Sequence, residues 1–245
     1  KVAKMAFQSD PRVLSRTGIS QAQLDEGLRS YMLSVYNYMS IALVITGLVA
    51  FVVGTTPALY MPIFTSPLKW VVMLAPLGFV FFFAAKLHSM SASTAQICFW
   101  SFAALMGLSM ASIFLVFTGA SIARVFFITA ATFGVMSLWG YTTKRDLSGM
   151  GSFLFMGLIG IVIASLVNIF IGSSMMQFII SLIGVVVFTG LTAYDTQAIK
   201  EEYVGGLEYQ DGEVVSKGAI SGALRLYLDF INLFMMMLQL LGNRE

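Results

Sequence analysis

Seven long apolar runs divide this chain and restrict it to folds that cross a lipid bilayer. The runs cover residues 33–54, 70–85, 97–117, 122–140, 152–172, 175–198 and 219–241. A helix needs about 20 apolar residues to cross the hydrocarbon core, and most of the runs come near that length. The second run is short and is expected to extend through Leu87. None shows the residue alternation of a transmembrane β-barrel. The sequence therefore predicts an all-α, polytopic membrane protein with seven transmembrane helices.

The composition agrees with this class of protein. Of the 245 residues, 58% are hydrophobic and 11% are charged, whereas soluble domains usually carry about 25% charged residues. The formal net charge of +2 is too small to indicate a nucleic-acid partner. The length suits one membrane domain, residues 33–241. It would lie between an N-terminal tail, residues 1–32, and a C-terminal tail, residues 242–245.

Short connections and small residues predict how the helices pack. The third and fourth segments, and the fifth and sixth, are joined by tight turns, so each pair should form antiparallel neighbours. Ala103, Gly107 and Ala111 recur at every fourth position, as do Gly160 and Ala164. Small residues at this spacing let two membrane helices approach closely. Both sets are therefore predicted to lie at helix contacts.

The positions of lysine and arginine predict the orientation. One side of the predicted bundle has ten of these residues: Lys1, Lys4, Arg12, Arg16, Arg29, Lys86, Lys144, Arg145, Lys200 and Lys217. The other side has three: Lys69, Arg124 and Arg244. The positive-inside rule then places the N-terminus in the cytoplasm and, after seven crossings, the C-terminus outside. A re-entrant or surface-bound last segment would return the C-terminus to the cytoplasm, and the charges of Arg225 and Asp229 leave that alternative open.

Two polar segments border the predicted spans. The N-terminal tail could begin a short surface helix near Ile19. Residues 200–217 form the longest predicted connection, which is acidic and contains Glu201, Glu202, Glu208, Asp211 and Glu213. We interpret this connection as a solvated cytoplasmic linker, with an ion-collecting vestibule as the alternative.

Only two acidic residues, Asp195 and Asp229, lie inside the predicted spans. A charge at the centre of a membrane helix costs about 2.5–3.5 kcal/mol on insertion scales. Each side chain must therefore face the bundle interior or water, or be protonated. Asp195 is close to the end of its segment and could reach the interface. Arg225 lies one helical turn before Asp229 and could form a structural ion pair with it.

The two aspartates can meet if the sixth helix continues about one turn beyond Ala198. Two carboxyl groups in contact at low dielectric would share one proton and titrate in two macroscopic steps, which suits a pH sensor. Fully ionised, the same pair offers hard oxygen ligands that suit Ca²⁺. Tyr194, Tyr227 and Asn232 could add oxygen ligands.

Enzymatic motifs are missing from the chain. Asp195 follows Thr192, Ala193 and Tyr194, which is not the GxGD setting of aspartyl intramembrane proteases. The HExxH and GxSxG motifs are absent, and the last apolar segment has no lysine that could carry retinal. We therefore predict neither an enzyme nor a cofactor, apart from Ca²⁺ as a bound or transported ion.

Several segments resemble those of the Bax inhibitor-1 family. Residues 194–200 (Tyr-Asp-Thr-Gln-Ala-Ile-Lys) and 226–234 (Leu-Tyr-Leu-Asp-Phe-Ile-Asn-Leu-Phe) resemble its two signature segments. Residues 140–148 resemble the loop after the fourth helix in its bacterial inner-membrane members, and Asn168-Ile169-Phe170 also fits. The resemblance covers essentially all of residues 33–241.

The resemblance implies a fold in which the last helix is central and six helices surround it. It also implies a pH-sensitive Ca²⁺ leak of the bacterial inner membrane, gated by an aspartate pair that corresponds to Asp195 and Asp229. For bacterial members it implies contact with membrane-protein quality control. Channel-forming relatives carry an acidic residue in the second helix and a basic cluster at its end. Here residues 70–85 have no charge, and only Lys86 and His88 stand near that end.

A basic latch for the aspartate pair would therefore have to come from Lys86 or Arg225. Three functions remain open at this point. The first is a passive, proton-modulated Ca²⁺ leak channel. The second is a non-conducting regulator or scaffold that binds a membrane protease through its tail and loops. The third is a proton-coupled cation transporter that uses the aspartate pair as its carrier.

Overall fold

The computed structural model describes residues 21–244, except for the side chains of Gln21 and His88. This part of the chain contains eight α-helices, of which 7 are long and apolar enough to cross a membrane. The helices are α1 (Gln21–Thr55), α2 (Pro57–Phe64), α3 (Leu68–Lys86), α4 (Ala92–Met110), α5 (Gly119–Thr142), α6 (Ser148–Ile171), α7 (Ser174–Val204) and α8 (Gly212–Leu241). The predicted all-α, seven-span fold is confirmed.

Side-chain caps begin three of the long helices. Ser91, Thr118 and Ser173 each accept a hydrogen bond from a backbone N–H three residues further along the chain. Each cap satisfies one of the free donors at a helix N-terminus. Gly172 ends α6 with a φ of 67°, in the left-handed region that glycine adopts without strain. The side chain of Asn168 accepts a hydrogen bond from the Ser173 N–H, which fixes the turn between α6 and α7.

Helix α8 lies at the centre of the bundle. Its most apolar stretch is 56% buried, compared with 39% at most for the other spans. It packs directly against α1, α4, α5 and α7, while α3 and α6 face it across cavities. Six helices therefore surround α8. Four of them contact it directly, and the other two are separated from it by the cavities.

Helix α1 begins well before the first apolar run. Its first turns bury Leu24, Leu28, Tyr31 and Val35, which recur at the spacing of one helix face. The ring of Tyr31 stacks on Tyr203 of α7 with 4.7 Å between the ring centroids. The surface helix predicted near the N-terminus is therefore the start of α1 and packs into the bundle, while Ile19 itself lies outside the described residues.

The predicted linker of residues 200–217 is mostly helical. Helix α7 continues to Val204 and α8 begins at Gly212, so only residues 205–211 connect them. Glu201 and Glu202 therefore lie on α7, and interpreting them as linker residues is wrong. The short helix α2 was not predicted, although Thr56 followed by Pro57 is a typical helix start.

The end of α8 is attached to the turn between α4 and α5. The Thr118 N–H donates to the Asn243 carbonyl oxygen (3.1 Å), and the Asn243 N–H donates to Ser121 Oγ (2.9 Å). Because this turn follows the third crossing, residues 21 and 244 lie at opposite faces of the bundle. The last segment therefore crosses the bundle completely and is not re-entrant.

Two of the predicted helix contacts are wrong. Helices α4 and α5 were predicted to be neighbours because a tight turn joins them. They do not pack along each other, and α8 contacts both. On α6, Gly160 is exposed, and no neighbouring atom lies within 4 Å of the position that its Cβ would take. The close approach to α7 is instead at Gly157, where a Cβ would lie 2.9 Å from Val187 Cγ2.

The contact predicted at Gly107 is confirmed. A Cβ atom on this residue would lie 2.5 Å from the carbonyl oxygen of Thr46 in α1. We expect Gly107→Leu to lower the free energy of unfolding by about 1–3 kcal/mol, because the new side chain must displace backbone. Thermal unfolding in detergent measures this effect. Gly160→Leu is the matched control and should leave stability unchanged; equal stability of the two variants would contradict the contact.

Candidate ion-binding site

Asp195 and Asp229 face each other between α7 and α8. Both side chains line the same cavity, and their carboxyl groups are close enough to interact directly with each other. The extension of α7 beyond Ala198 makes this possible, because α7 and α8 run antiparallel and pack along this part of their lengths. The side chain of Asp229 is buried, with 5% of the residue exposed, and Asp195 is half-buried.

One oxygen atom of the aspartate pair has no donor. Oδ2 of Asp229 is buried and accepts no hydrogen bond from an N–H or hydroxyl group among the described residues. A buried carboxylate oxygen in this state is unfavourable. A proton held between the two carboxyl groups would relieve it, and so would a cation bound beside them.

A cavity of about 640 Å³ adjoins the aspartate pair; we call it the aspartate cavity. It lies between α6 and α8, and α7 forms its base. Helix α6 contributes Gly151, Ser152, Phe155 and Leu158 to its wall, none of which is charged. Tyr194, Arg225 and Asn232 also line it. Among the described residues, the charged side chains that line this cavity are therefore the two aspartates and Arg225.

The neutral residues predicted to support the site take different positions. The ring of Tyr194 packs against Gly151 of α6, where a Cβ atom would collide with it. Asn232 lines the cavity, and its Nδ2 donates to the Leu228 carbonyl oxygen (2.8 Å). Both residues are close enough to the aspartates to share their cavity.

Tyr227 points away from the aspartate cavity, so the prediction that it supplies a ligand oxygen is wrong. Its hydroxyl group lies 2.7 Å from Thr46 Oγ1 in α1. Thr46 donates its own proton to the Ala103 carbonyl oxygen (2.9 Å), so Tyr227 is the donor to Thr46. The Tyr227 ring is fully buried and packs edge-on against Phe99 and Phe102. Tyr227 therefore links α8 to α1 and α4.

We expect Tyr227→Phe to reduce stability by about 1 kcal/mol, because Thr46 loses the donor to its buried oxygen. Thermal unfolding in detergent measures this loss. Tyr60→Phe is the control, since Tyr60 is half-buried and its hydroxyl group makes no hydrogen bond with the described residues. Equal stability of Tyr227→Phe and the wild type would contradict the hydrogen bond to Thr46.

Arg225 pairs with Glu202 of α7 and not with Asp229, so the alternative of a structural ion pair with Asp229 is wrong. Its Nη2 lies 2.8 Å from Glu202 Oε2, and 38% and 45% of the two side chains are exposed. Glu202 follows Asp195 by seven residues, which places both on one face of α7. Glu202 was not predicted as a site residue, because the sequence pattern indicated a linker at residues 200–217.

A second cavity, of about 620 Å³, meets the first at Arg225. It lies between α3 and α8 and is lined by Phe83 and Ala84 on one side and by Lys217 and Ser221 on the other. Arg225 and Leu228 line both cavities. These two side chains therefore form the partition between the aspartate cavity and the space in front of α3.

No other basic side chain among the described residues lines the aspartate cavity. Lys86 is exposed at the end of α3 and lines neither cavity, so the prediction that it could hold the aspartates is wrong. The side chain of His88 lies outside the described residues. Arg225 is the basic residue that the fold places beside the aspartate pair.

The site is poor in charged ligands. Among residues 21–244, no cluster of three or more histidine, cysteine, aspartate or glutamate side chains could hold a metal ion. Ca²⁺ takes about 6–8 oxygen ligands, so two carboxylates would need neutral oxygens or water to complete its shell. Such a site suits brief occupancy by a passing ion better than tight storage.

Comparison with known proteins identifies the family. The family model described as inhibitor of apoptosis-promoting Bax1 matches residues 28–245. The chain belongs to the Bax inhibitor-1 family. Within this family it is 51% identical over 222 residues to an uncharacterized protein of Rickettsia prowazekii, a match that covers 90% of this chain and 92% of the relative.

The name of a second relative in the Bax inhibitor-1 family states its cellular location. The inner membrane protein YbhL of Escherichia coli K12 is 46% identical over 221 residues, which is 89% of this chain and 94% of YbhL. Together with the seven apolar helices, this similarity supports a multi-pass protein of the inner membrane.

Proposed function

We propose that this protein is a passive, pH-sensitive leak channel for Ca²⁺ in the bacterial inner membrane. In this proposal Asp195 and Asp229 bind the ion and sense pH, and the protein is neither an enzyme nor dependent on a cofactor. The observation that carries the proposal is the pair of adjacent carboxyl groups, one buried and one half-buried, with one buried oxygen that has no donor among the described residues. The adjoining cavity gives an ion room beside that oxygen.

The pH dependence follows from the repulsion between two adjacent carboxylates. At low pH a shared proton removes this repulsion and favours the contact between α7 and α8. At higher pH both groups ionise, and they must either separate or recruit a cation. Arg225 is the nearest positive charge, but it is held by Glu202, and α6 brings no charge to the cavity. Flux should therefore rise with pH.

The two cavities suggest a path for the ion through the protein. An ion that leaves the aspartates has to pass Arg225 and Leu228 to reach the cavity in front of α3. Helix α3 packs mainly on α4 and faces α8 across that cavity. A movement of α3 away from α8 would thus break few direct contacts and would widen the path.

Reconstitution into liposomes that contain a Ca²⁺-sensitive dye tests the proposal. We expect Ca²⁺ to enter wild-type liposomes down its gradient, faster at higher pH, and more slowly in the Asp195→Asn variant. A protonophore should not stop this flux. Flux that requires a proton gradient would instead indicate a proton-coupled transporter. Flux equal to that of protein-free liposomes would contradict conduction and favour a non-conducting regulator that binds a membrane protease.

We also propose that the N-terminus lies in the cytoplasm. The ten-to-three distribution of lysine and arginine residues supports this orientation. A reporter that is active only in the periplasm should therefore be active when fused after Glu245 and inactive when fused before Lys1. The reverse result would invert the orientation, and equal results at both ends would contradict the seventh crossing.

A further inference from the structure

We propose that the groove between α1 and α5 binds one anionic phospholipid, with its phosphate at Arg29 and an acyl chain along the groove. The groove has a volume of about 980 Å³. Its walls come from α1 and α5, and Phe230 of α8 forms part of its floor. This site is separate from the aspartate cavity and does not depend on ion conduction.

The groove exists because α1 and α5 both pack on α8 and meet each other mainly through the hydrogen bond between Tyr36 and Ser137. Gly47 on α1 and Gly134 on α5 line opposite walls, and a Cβ atom on either residue would meet nothing within 4 Å. The lining of α1 extends from Arg29 to Leu48, which is about 29 Å along a helix. An acyl chain of one leaflet fits within this length, because the whole hydrocarbon core is about 30 Å thick.

The end of the groove near Arg29 is positively charged. Arg29 is exposed and makes no ion pair or hydrogen bond with the other described residues. Tyr141 lines the same end, and its carbonyl oxygen accepts a hydrogen bond from Lys200 Nζ (2.8 Å). A guanidinium group binds a phosphate through two parallel hydrogen bonds. This end therefore complements an anionic headgroup in the leaflet on the N-terminal side of the bundle.

The chemistry of the lining changes along the groove in the order of a phospholipid. Past Met32 and Leu33, about two turns beyond Arg29, come hydroxyl groups. Those of Tyr36 and Ser137 lie 2.7 Å apart. Beyond them the lining is apolar and includes Leu43 and Phe126. A phospholipid has the same order of chemical groups, from the charged headgroup through the glycerol esters to the acyl chain. An apolar helix from another protein would match only the last part of this lining.

Native mass spectrometry of the purified protein tests the proposal, with either phosphatidylglycerol or phosphatidylcholine added to the detergent micelles. We expect one phosphatidylglycerol molecule to be retained per chain, in clear preference to phosphatidylcholine. Arg29→Gln should lower that preference about tenfold, because a charge-assisted hydrogen bond is lost. Gly134→Phe should fill the groove and remove retention of both lipids.

Gly78→Phe is the matched control, because Gly78 is an exposed glycine of α3 with no neighbouring atom within 4 Å. It should retain phosphatidylglycerol as the wild type does. Equal retention of both lipids by the wild type would mean non-specific annular lipid and overturn the proposal. Unchanged retention in Gly134→Phe, or a second protein chain bound in place of the lipid, would also overturn it. Arg29→Gln changes an exposed side chain and keeps the test valid if Gly134→Phe does not fold.

Discussion

Asparagine at either Asp195 or Asp229 is expected to remove the pH dependence of Ca²⁺ flux and to leave the protein folded. The amide resembles the protonated carboxyl group in shape and has no charge. A single remaining carboxylate has no partner to repel, so α7 and α8 should stay in contact at every pH. Flux at high pH should then fall to about the level that the wild type shows at low pH.

The measurement is dye-reported Ca²⁺ entry into proteoliposomes across the pH range over which the wild type changes. Asp25→Asn is the control, because Asp25 is an exposed aspartate of α1 that lines neither cavity. Thermal unfolding of each variant shows whether it is folded. A wild-type pH profile in both variants would rule out the shared proton. A change in only one variant would show that one aspartate titrates alone.

Arg225→Gln and Glu202→Gln are expected to change Ca²⁺ flux in opposite directions. Arg225 places a positive charge at the partition between the two cavities, and this charge repels a passing cation. A guanidinium group and a Ca²⁺ ion about 10 Å apart interact by about 3 kcal/mol at an effective dielectric constant of about 20. Solvent at the part-exposed Arg225 side chain screens about half of this energy. Loss of the guanidinium group should therefore raise flux about tenfold.

Glu202→Gln has the opposite expected effect because it releases Arg225. Arg225 lies one turn from Asp229 on the same helix, so a change of rotamer can bring its guanidinium group toward the aspartates. An ion pair there would neutralise the site and lower flux. Glu213→Gln is the control, since it removes only the i,i+4 pair with Lys217 on α8 (3.8 Å). An increase in flux in both test variants would mean that the ion pair acts by joining α7 to α8 and not through the charge of Arg225.

The sequence predicted the number of spans well and their ends less well. Hydropathy identifies the part of a helix that lies in hydrocarbon, but α1, α7 and α8 continue beyond it through polar turns. The spacing of Leu24, Leu28, Tyr31 and Val35 indicates the extension of α1, although most of the residues between Leu24 and Tyr31 are polar. Which helices pack together depends on the whole bundle. A tight turn therefore did not predict that α4 and α5 would separate around α8.

Residues of the candidate site differ in how predictable they were. The meeting of Asp195 and Asp229 required only that α7 continue beyond Ala198, and it does. The only partner that the sequence offered Arg225 was its local neighbour, Asp229, as an alternative, because sequence spacing shows partners within one helix and not those on the next. The direction of Tyr227 could have been predicted, because two residues correspond to about 200° around a helix. Tyr227 and Asp229 must therefore face opposite sides of α8.

Helix α8 lines the aspartate cavity, the cavity in front of α3 and the groove between α1 and α5. It also makes the hydrogen bond to Thr46. No face of it is left for lipid alone. A residue added, lost or enlarged in α8 would shift several of these regions together, whereas α6 presents much of its surface to lipid. In evolutionary terms, the helix that carries the buried aspartate is also the one with the least freedom to drift, and new properties in this fold should arise first on its outer helices.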